Sequence, residues 1–254
     1  MITFFFYFTI FAFGLIIGSF LNCLIYRLNS GGSCLKGRSF CPRCKHQLSW
    51  PDLVPVLSFI LLRRKCRYCQ KLISWQYPLI EVAAGLLFIL VFLLTPGDFL
   101  FISLRLAIVF FLIVIFVYDL RYYLIPDVIV YPAILLVGTW AVFFADKPLY
   151  YIYSAIGASF FFFFIVFISK GRWMGVGDVK LAFLMGLILS WPGILVALII
   201  AFFSGALVGL GLVLSLKKKF KSEVPFGPFL ALGTLISMFW GGDIINWYLS
   251  LFWL

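Results

Sequence analysis

Gly175-Val176-Gly177-Asp178-Val179-Lys180 opens an apolar run, residues 181–189, and sets a carboxylate at its mouth, just after a basic loop with Lys170 and Arg172. A second acid, Asp119, closes another apolar run, residues 106–118, and is followed by Arg121 and by Pro126-Asp127. Acids are rare in segments that cross a bilayer, and those present are functional candidates by default. Two aspartates at one face of a membrane are the parts of an aspartic protease. What the rest of the chain must do is bring a peptide to them.

Composition supports the membrane half of this reading. Of 254 residues, 65% are hydrophobic, 20% aromatic and only 11% charged, with a mean hydropathy of +1.15. A water-soluble domain of this length has too little interior to hide that much apolar surface. The net charge of +11 suggests nucleic acid until the charges are located: ten of the 20 Lys and Arg residues lie between Arg27 and Lys71, in the one long polar segment. Such clustering fits a cytoplasmic loop under the positive-inside rule, and nucleic acid is not an expected partner.

Apolar runs long enough to span, at roughly 20 residues each, give an all-α polytopic fold of about eight transmembrane helices. The expected spans are 2–26, 77–94, 99–118, 128–145, 149–169, 179–189, a seventh from the Trp191-Pro192-Gly193 break to about 216, and 229–240. Residues 244–254 are too short to span and end in Trp247, Tyr248 and Trp253, as an interfacial segment would. The first run lacks the basic start and the cleavage site of a signal peptide. With these spans, every basic residue except Arg105 and Lys147 falls at the cytoplasmic side, where Asp119 and Asp178 also come out. Arg105 is expected to snorkel outward. Gly18-Ser19-Phe20-Leu21-Asn22 reads as close helix packing, with Asn22 free to bond a neighbouring helix. Three domains follow: a first helix, 1–28; a cysteine-rich cytoplasmic loop, 29–76; and a membrane peptidase domain, 77–254.

Hydrolysis by a carboxylate pair needs one ionised and one protonated group sharing a water, which proximity supplies because neighbouring carboxylates cannot both ionise. Asp119 and Asp178 serve only if the third and sixth spans touch. Gly175 and Gly177 let the backbone approach an extended substrate; with Lys180, and with Pro225 and Gly227, they are expected to position it. Val224-Pro225-Phe226-Gly227-Pro228-Phe229 cannot continue a regular helix, which suits a re-entrant or substrate-positioning segment. The plainer reading stays open: Asp178 stands where a helix N-cap belongs, and Asp127 after Pro126 does too.

The Gly-x-Gly-Asp stretch, Asp119 with Ile125-Pro126-Asp127, the 224–229 segment, Gly18 to Asn22 with Tyr26-Arg27-Leu28, and two cysteine pairs together resemble the type IV prepilin peptidases. The resemblance covers nearly the whole chain. It implies an eight-span aspartic protease of the bacterial cytoplasmic membrane, with Asp119 and Asp178 as its catalytic pair. The implied substrates are prepilins and pseudopilins, cut at the cytoplasmic face just after a leader-ending glycine.

Cys41-Pro42-Arg43-Cys44 and Cys66-Arg67-Tyr68-Cys69 lie 21 residues apart in the basic loop. In a reducing compartment such pairs bind metal more often than they form disulfides. Four thiolates suit a closed, structural zinc site, a redox pair being the alternative; Cys23 and Cys34 fall outside the spacing. Relatives with this loop also N-methylate the new amino terminus with S-adenosylmethionine, so the resemblance implies that activity. The chain departs from their pattern at Trp50-Pro51-Asp52-Leu53 and at Lys65, where glycine is usual. Two other classes remain: a transporter, since intramembrane acids also relay protons, and a zinc-loop scaffold without chemistry. The 217–221 lysine run fixes topology or attracts anionic lipid.

Overall fold

The computed structural model describes residues 2–32, 37–95, 98–215 and 224–251. Cys34, the Pro96-Gly97 turn, the 217–221 lysine run and Trp253 lie outside the described residues. Eight α-helices follow in order: α1 (Ile2–Ser30), α2 (Leu57–Leu61), α3 (Gln76–Leu94), α4 (Phe99–Tyr122), α5 (Asp127–Phe143), α6 (Pro148–Ser169), α7 (Val176–Leu214) and α8 (Gly227–Ser250). No strand occurs among the described residues beyond two isolated bridges, Phe40 with Gln47 and Lys65 with Leu72. Helices are what such a sequence allows, because lipid offers no partner to a free backbone N–H or C=O.

Six of these helices are long and apolar enough to cross a bilayer. Among them α7, at 39 residues, counts once although it holds two spans, because non-helical Ser190 and Trp191 break it. The short α5, of 17 residues, completes the eight membrane segments expected. Two expectations fail at the C-terminal end. The eighth span does not stop near Trp240, and the segment from Ile244 is not a separate interfacial piece: α8 runs unbroken to Ser250. Gly241-Gly242 lowers helix propensity but introduces no break, since neither glycine removes a backbone donor.

The chain forms two compact units, residues 1–113 and 114–254. In the first, α1 lies directly on α3: a Cβ placed on Gly18 would sit 2.6 Å from the Glu81 Cα, and one on Gly14 2.7 Å from the Gly85 Cα. The small residues thus serve backbone-to-backbone packing, the use small residues have between membrane helices. Asn22 joins the same seam, donating to the Tyr77 carbonyl at 3.1 Å. Arg105 does not stand alone in its helix; it donates to the Thr95 hydroxyl at 3.0 Å and covers the Phe101 ring.

In the second unit α7 doubles back on itself. Its first half passes α6, where Gly186 meets the backbone of Ser154 and Ala155. Its second half runs antiparallel to α8: Ser237 donates to the Gly193 carbonyl at 2.7 Å, Gly233 faces Ala197, and Gly205 faces Phe226 and Phe229. The reversal at 190–191 therefore returns the chain to the level at which α7 began. Phe162, Phe202 and Phe226 form an aromatic tier at that level, with Phe202 and Phe226 ring centres 5.0 Å apart.

Candidate active site and cysteine cluster

Asp119 lies one turn before the end of α4 and Asp178 in the first turn of α7; both are buried, at 5% and 8% exposure. They come from spans separated by two other helices, and the glycines beside their carboxylates, Gly177 and Gly227, both lie against the Ile125 side chain. Each is aimed by a backbone amide. The Gly175 N–H donates to Asp178 Oδ2 at 3.1 Å, and the Gly227 N–H faces the Asp119 carboxylate. Asp178 is thus not an N-cap: Gly175 holds that place, and Asp178, three residues on, reaches back to it. The stretch keeps its capping function and still leaves the second carboxylate oxygen for chemistry.

Gly227 is a glycine for lack of room. A Cβ there would come 2.5 Å from Asp119 Oδ2. The helix can start at this point because Pro228 falls in its first turn, where a missing N–H costs nothing. Pro225 precedes it, half-buried and outside the helix. Ile125 closes the site from the α4–α5 connection: its side chain lies 3.0 Å from the place of a Gly177 Cβ and 3.3 Å from that of Gly227. It is the wedge that spaces the start of α7 from the start of α8. Nothing in its residue type signals this role, although the Ile-Pro-Asp stretch marks its neighbourhood.

Lys180 points away from the carboxylate pair. Its ammonium holds both oxygens of Asp127, at 2.7 and 2.9 Å, and lies over the Tyr131 ring. Asp127, the first residue of α5, is a partner of α7 and makes no cap. The pair ties the start of α5 to the start of α7 on either side of Ile125.

The carboxylates lie below the ends of two neighbouring helices. Gly227, Gly205 and Phe162 share one level, yet α6 continues seven residues beyond it and the second half of α7 continues nine. At about 1.5 Å per residue, these two helices rise roughly 10 Å above the acids.

The cysteine loop belongs to the first unit and folds as two matching knuckles. In each, the fifth residue from the first cysteine, Lys45 or Gln70, has positive φ (62° and 57°) and returns its N–H to that cysteine's carbonyl. His46 and Tyr68 stack across the two, with ring centres 3.7 Å apart. The four sulfurs of Cys41, Cys44, Cys66 and Cys69 lie within 4.8 Å of one another, and Cys41 and Cys69 Sγ are 4.0 Å apart without a disulfide. A tetrahedron with ~2.3 Å metal–sulfur bonds has edges of about 3.8 Å, so the set fits one metal ion. Burial pushes the Cys41 thiol up, but the amides of Cys44 and Arg43 and the neighbouring thiols outweigh it and bring it from 9.0 to about 7. Burial pushes the Cys66 thiol up.

Asp52 braces this loop. It accepts from the Ser49 hydroxyl at 2.8 Å and pairs with Arg67 at 2.8 Å. Burial opposes ionisation there, yet Arg67 and Ser49 hold its carboxyl below the usual range. Glu81 is buried at the α1–α3 seam, where it accepts the Val56 N–H at 2.7 Å and the Ser19 hydroxyl. Both acids are structurally engaged.

Residues 12–95 match the bacterial peptidase A24 N-terminal domain, and residues 106–210 match the type IV leader peptidase family. The chain is 31% identical to a prepilin leader peptidase/N-methyltransferase of Aeromonas salmonicida, covering 95% of this chain and 93% of that protein. It is 32% identical to the proteins of that name in Aeromonas hydrophila (96% and 93%) and Bacillus subtilis (95% and 97%). No solved structure matches it.

Proposed function

Since the chain belongs to the type IV leader peptidase family, we propose that this multi-pass membrane protein is an aspartic endopeptidase acting on type IV prepilins or pseudopilins. It removes their leaders at the cytoplasmic face of the bacterial inner membrane and N-methylates the residue exposed. The observation that supports the peptidase reading is two buried acids from different helices, Asp119 and Asp178, each beside one glycine amide, with Gly177 and Gly227 both against Ile125. The clustering of Lys and Arg beside these ends supports the cytoplasmic side.

The ionised member of the pair takes a proton from a water held between the carboxylates as the water oxygen bonds to the scissile carbonyl carbon. The protonated member donates to the carbonyl oxygen. Collapse of the tetrahedral species breaks the C–N bond, and the proton first taken from water passes to the leaving amine. Burial gives these charges a low-dielectric setting in which they act strongly. Gly175 and Gly227 hold the carboxylates without competing side chains. Lys180 and Asp127 neutralise one another, which keeps a free ammonium from pairing with Asp178.

Cys41, Cys44, Cys66 and Cys69 would hold Zn2+, which would supply a fold to a loop with little core of its own. Four sulfur donors suit a structural site, and hydrolysis is assigned to the aspartates. For methylation, S-adenosylmethionine would supply, when bound, the electrophilic methyl group that the freed amine takes.

Mass spectrometry of a prepilin co-expressed with this protein tests the reading. Loss of the leader and a gain of ~14 Da on the mature N-terminus (the mass of one CH2) are expected; an unprocessed prepilin from every system offered would refute it. Gly227→Ala is expected to lower the rate of leader removal by about 100-fold, because its methyl group displaces the Asp119 carboxylate from attacking geometry. Initial rates on purified prepilin in detergent measure this.

A further inference from the structure

The first unit holds a cleft of about 500 Å³ between α2 and the start of α3. Ile60, Trp75, Leu79 and Val82 are among its apolar walls, and Arg63 and Arg64 are its only charged lining residues. We propose that this cleft binds an anionic phospholipid, with the upper part of one acyl chain in the slot and the phosphate on the two arginines. The inference needs only a membrane-embedded chain and stands apart from the peptidase and methyltransferase readings.

The walls follow the path a lipid chain takes. Trp75 caps α3 in helical geometry, so with Leu79 and Val82 it is spaced i, i+4, i+7 along one face. At about 1.5 Å per residue the stripe extends roughly 10 Å from the helix start. α3 is long and apolar enough to span, and the stripe therefore leads from the membrane surface into hydrocarbon. Trp75 stands at its head, 56% exposed, the level at which tryptophan gathers in membrane proteins. From α2, Ile60 lines the same slot, with Leu57 and Leu61 exposed beside it. Exposed apolar side chains grouped in this way mark a surface that meets something other than water.

The charge calls for an anion that the protein does not supply. Between residues 29 and 76 the sole acid is Asp52, and it is bound to Arg67. Glu81, the next acid in the chain, is buried and accepts the Val56 N–H. Among the described residues neither Arg63 nor Arg64 has an ion pair. Arg64 is nonetheless held: its Nε–H donates to the Ile73 carbonyl at 3.1 Å, and its guanidinium lies 5.5 Å from the Trp75 ring. Both arginines have left-handed backbone, with φ of 49° and 65°, which residues with side chains rarely adopt. Hydrogen bonds from the Arg64 N–H to Phe59 and from the Ile73 N–H to Arg64 hold that turn, and it keeps both side chains on the cleft. Guanidinium forks take phosphate oxygens in pairs. Two of them suit a phosphodiester with no cation of its own, as in phosphatidylglycerol, whereas a choline headgroup would bring a third cation. A soluble phosphate ester would use the arginines but leave the apolar stripe uncovered.

The test is photocrosslinking of the full-length protein in phosphatidylcholine nanodiscs doped with phosphatidylglycerol that carries a diazirine near the top of one acyl chain. Peptide mapping is expected to find the label on the segments containing Ile60 and Leu79. The same probe with a choline headgroup is expected to label them at least ~10-fold less. Arg63→Gln with Arg64→Gln should lower the phosphatidylglycerol label at least ~10-fold, while lysine at both positions should retain most of it. Leu79→Trp, which fills the slot, should lower the label with both arginines in place. Thermal unfolding equal to wild type certifies each variant. Two results on wild type alone overturn the proposal: label spread evenly over the lipid-facing helices, or equal labelling by the two headgroups. Undiminished label in the double glutamine variant overturns it too. Glycerol 3-phosphate in excess is expected to leave the label unchanged; if it displaces the lipid, the arginines serve a soluble phosphate ester and the lipid site is wrong.

Discussion

Asp119→Asn and Asp178→Asn, made singly, are each expected to lower leader removal by at least ~1,000-fold, about 4 kcal/mol of transition-state stabilisation. Asparagine keeps the shape of aspartate and one acceptor oxygen, so the bonds from the Gly175 and Gly227 amides survive and the helices stay seated. It cannot exchange the proton that the mechanism passes between water, carboxylate and amine. The two losses should be grossly non-additive, because either change already removes the pair. Initial rates on a purified prepilin, with thermal unfolding followed in parallel, measure the outcome. If one variant retains wild-type turnover, the carboxylates are not acting as a pair. A protein that merely scaffolds its partners would tolerate both substitutions.

Removing the metal is expected to be as severe for the first unit. Four thiolates converge on one point while the loop has little buried apolar surface besides Phe59 and two of the cysteines themselves. Structural zinc contributes on the order of 10 kcal/mol to folding such segments. The purified protein should therefore contain one zinc per chain by elemental analysis. Chelation, or Cys66→Ser, should open residues 40–72 to limited proteolysis and abolish methylation. A metal-free protein whose loop resists protease would show that the stacked His46–Tyr68 pair and the Asp52–Arg67 bridge suffice without metal.

Membrane segments were legible because lipid leaves the backbone no alternative to a helix, and the cysteine cluster because C-x-x-C spacing dictates a knuckle. The pairing of Asp119 with Asp178 was legible as an expectation from topology and from the quoted motifs. What escaped were contacts between residues of ordinary type distant in sequence. Ile125 looks like any other isoleucine until two glycines from separate helices are seen against it. Lys180 and Asp127, 53 positions apart, gave no local sign of pairing. α8 continues past the expected end near residue 240 because packing along the helix, more than local propensity, decides where it stops. Asp52 read only as part of an unusual loop stretch, and folding shows that it fastens a knuckle through Ser49 and Arg67.

The acids lie roughly 10 Å below the ends of α6 and α7, by the rise of a helix. A helix ties each peptide carbonyl to an amide four residues on, so a scissile bond still inside a helix has its carbonyl oxygen already engaged and ringed by side chains. The stretch to be cut must unwind before its carbonyl can accept a proton from a buried acid. For such a protease a polypeptide qualifies by how readily it comes undone.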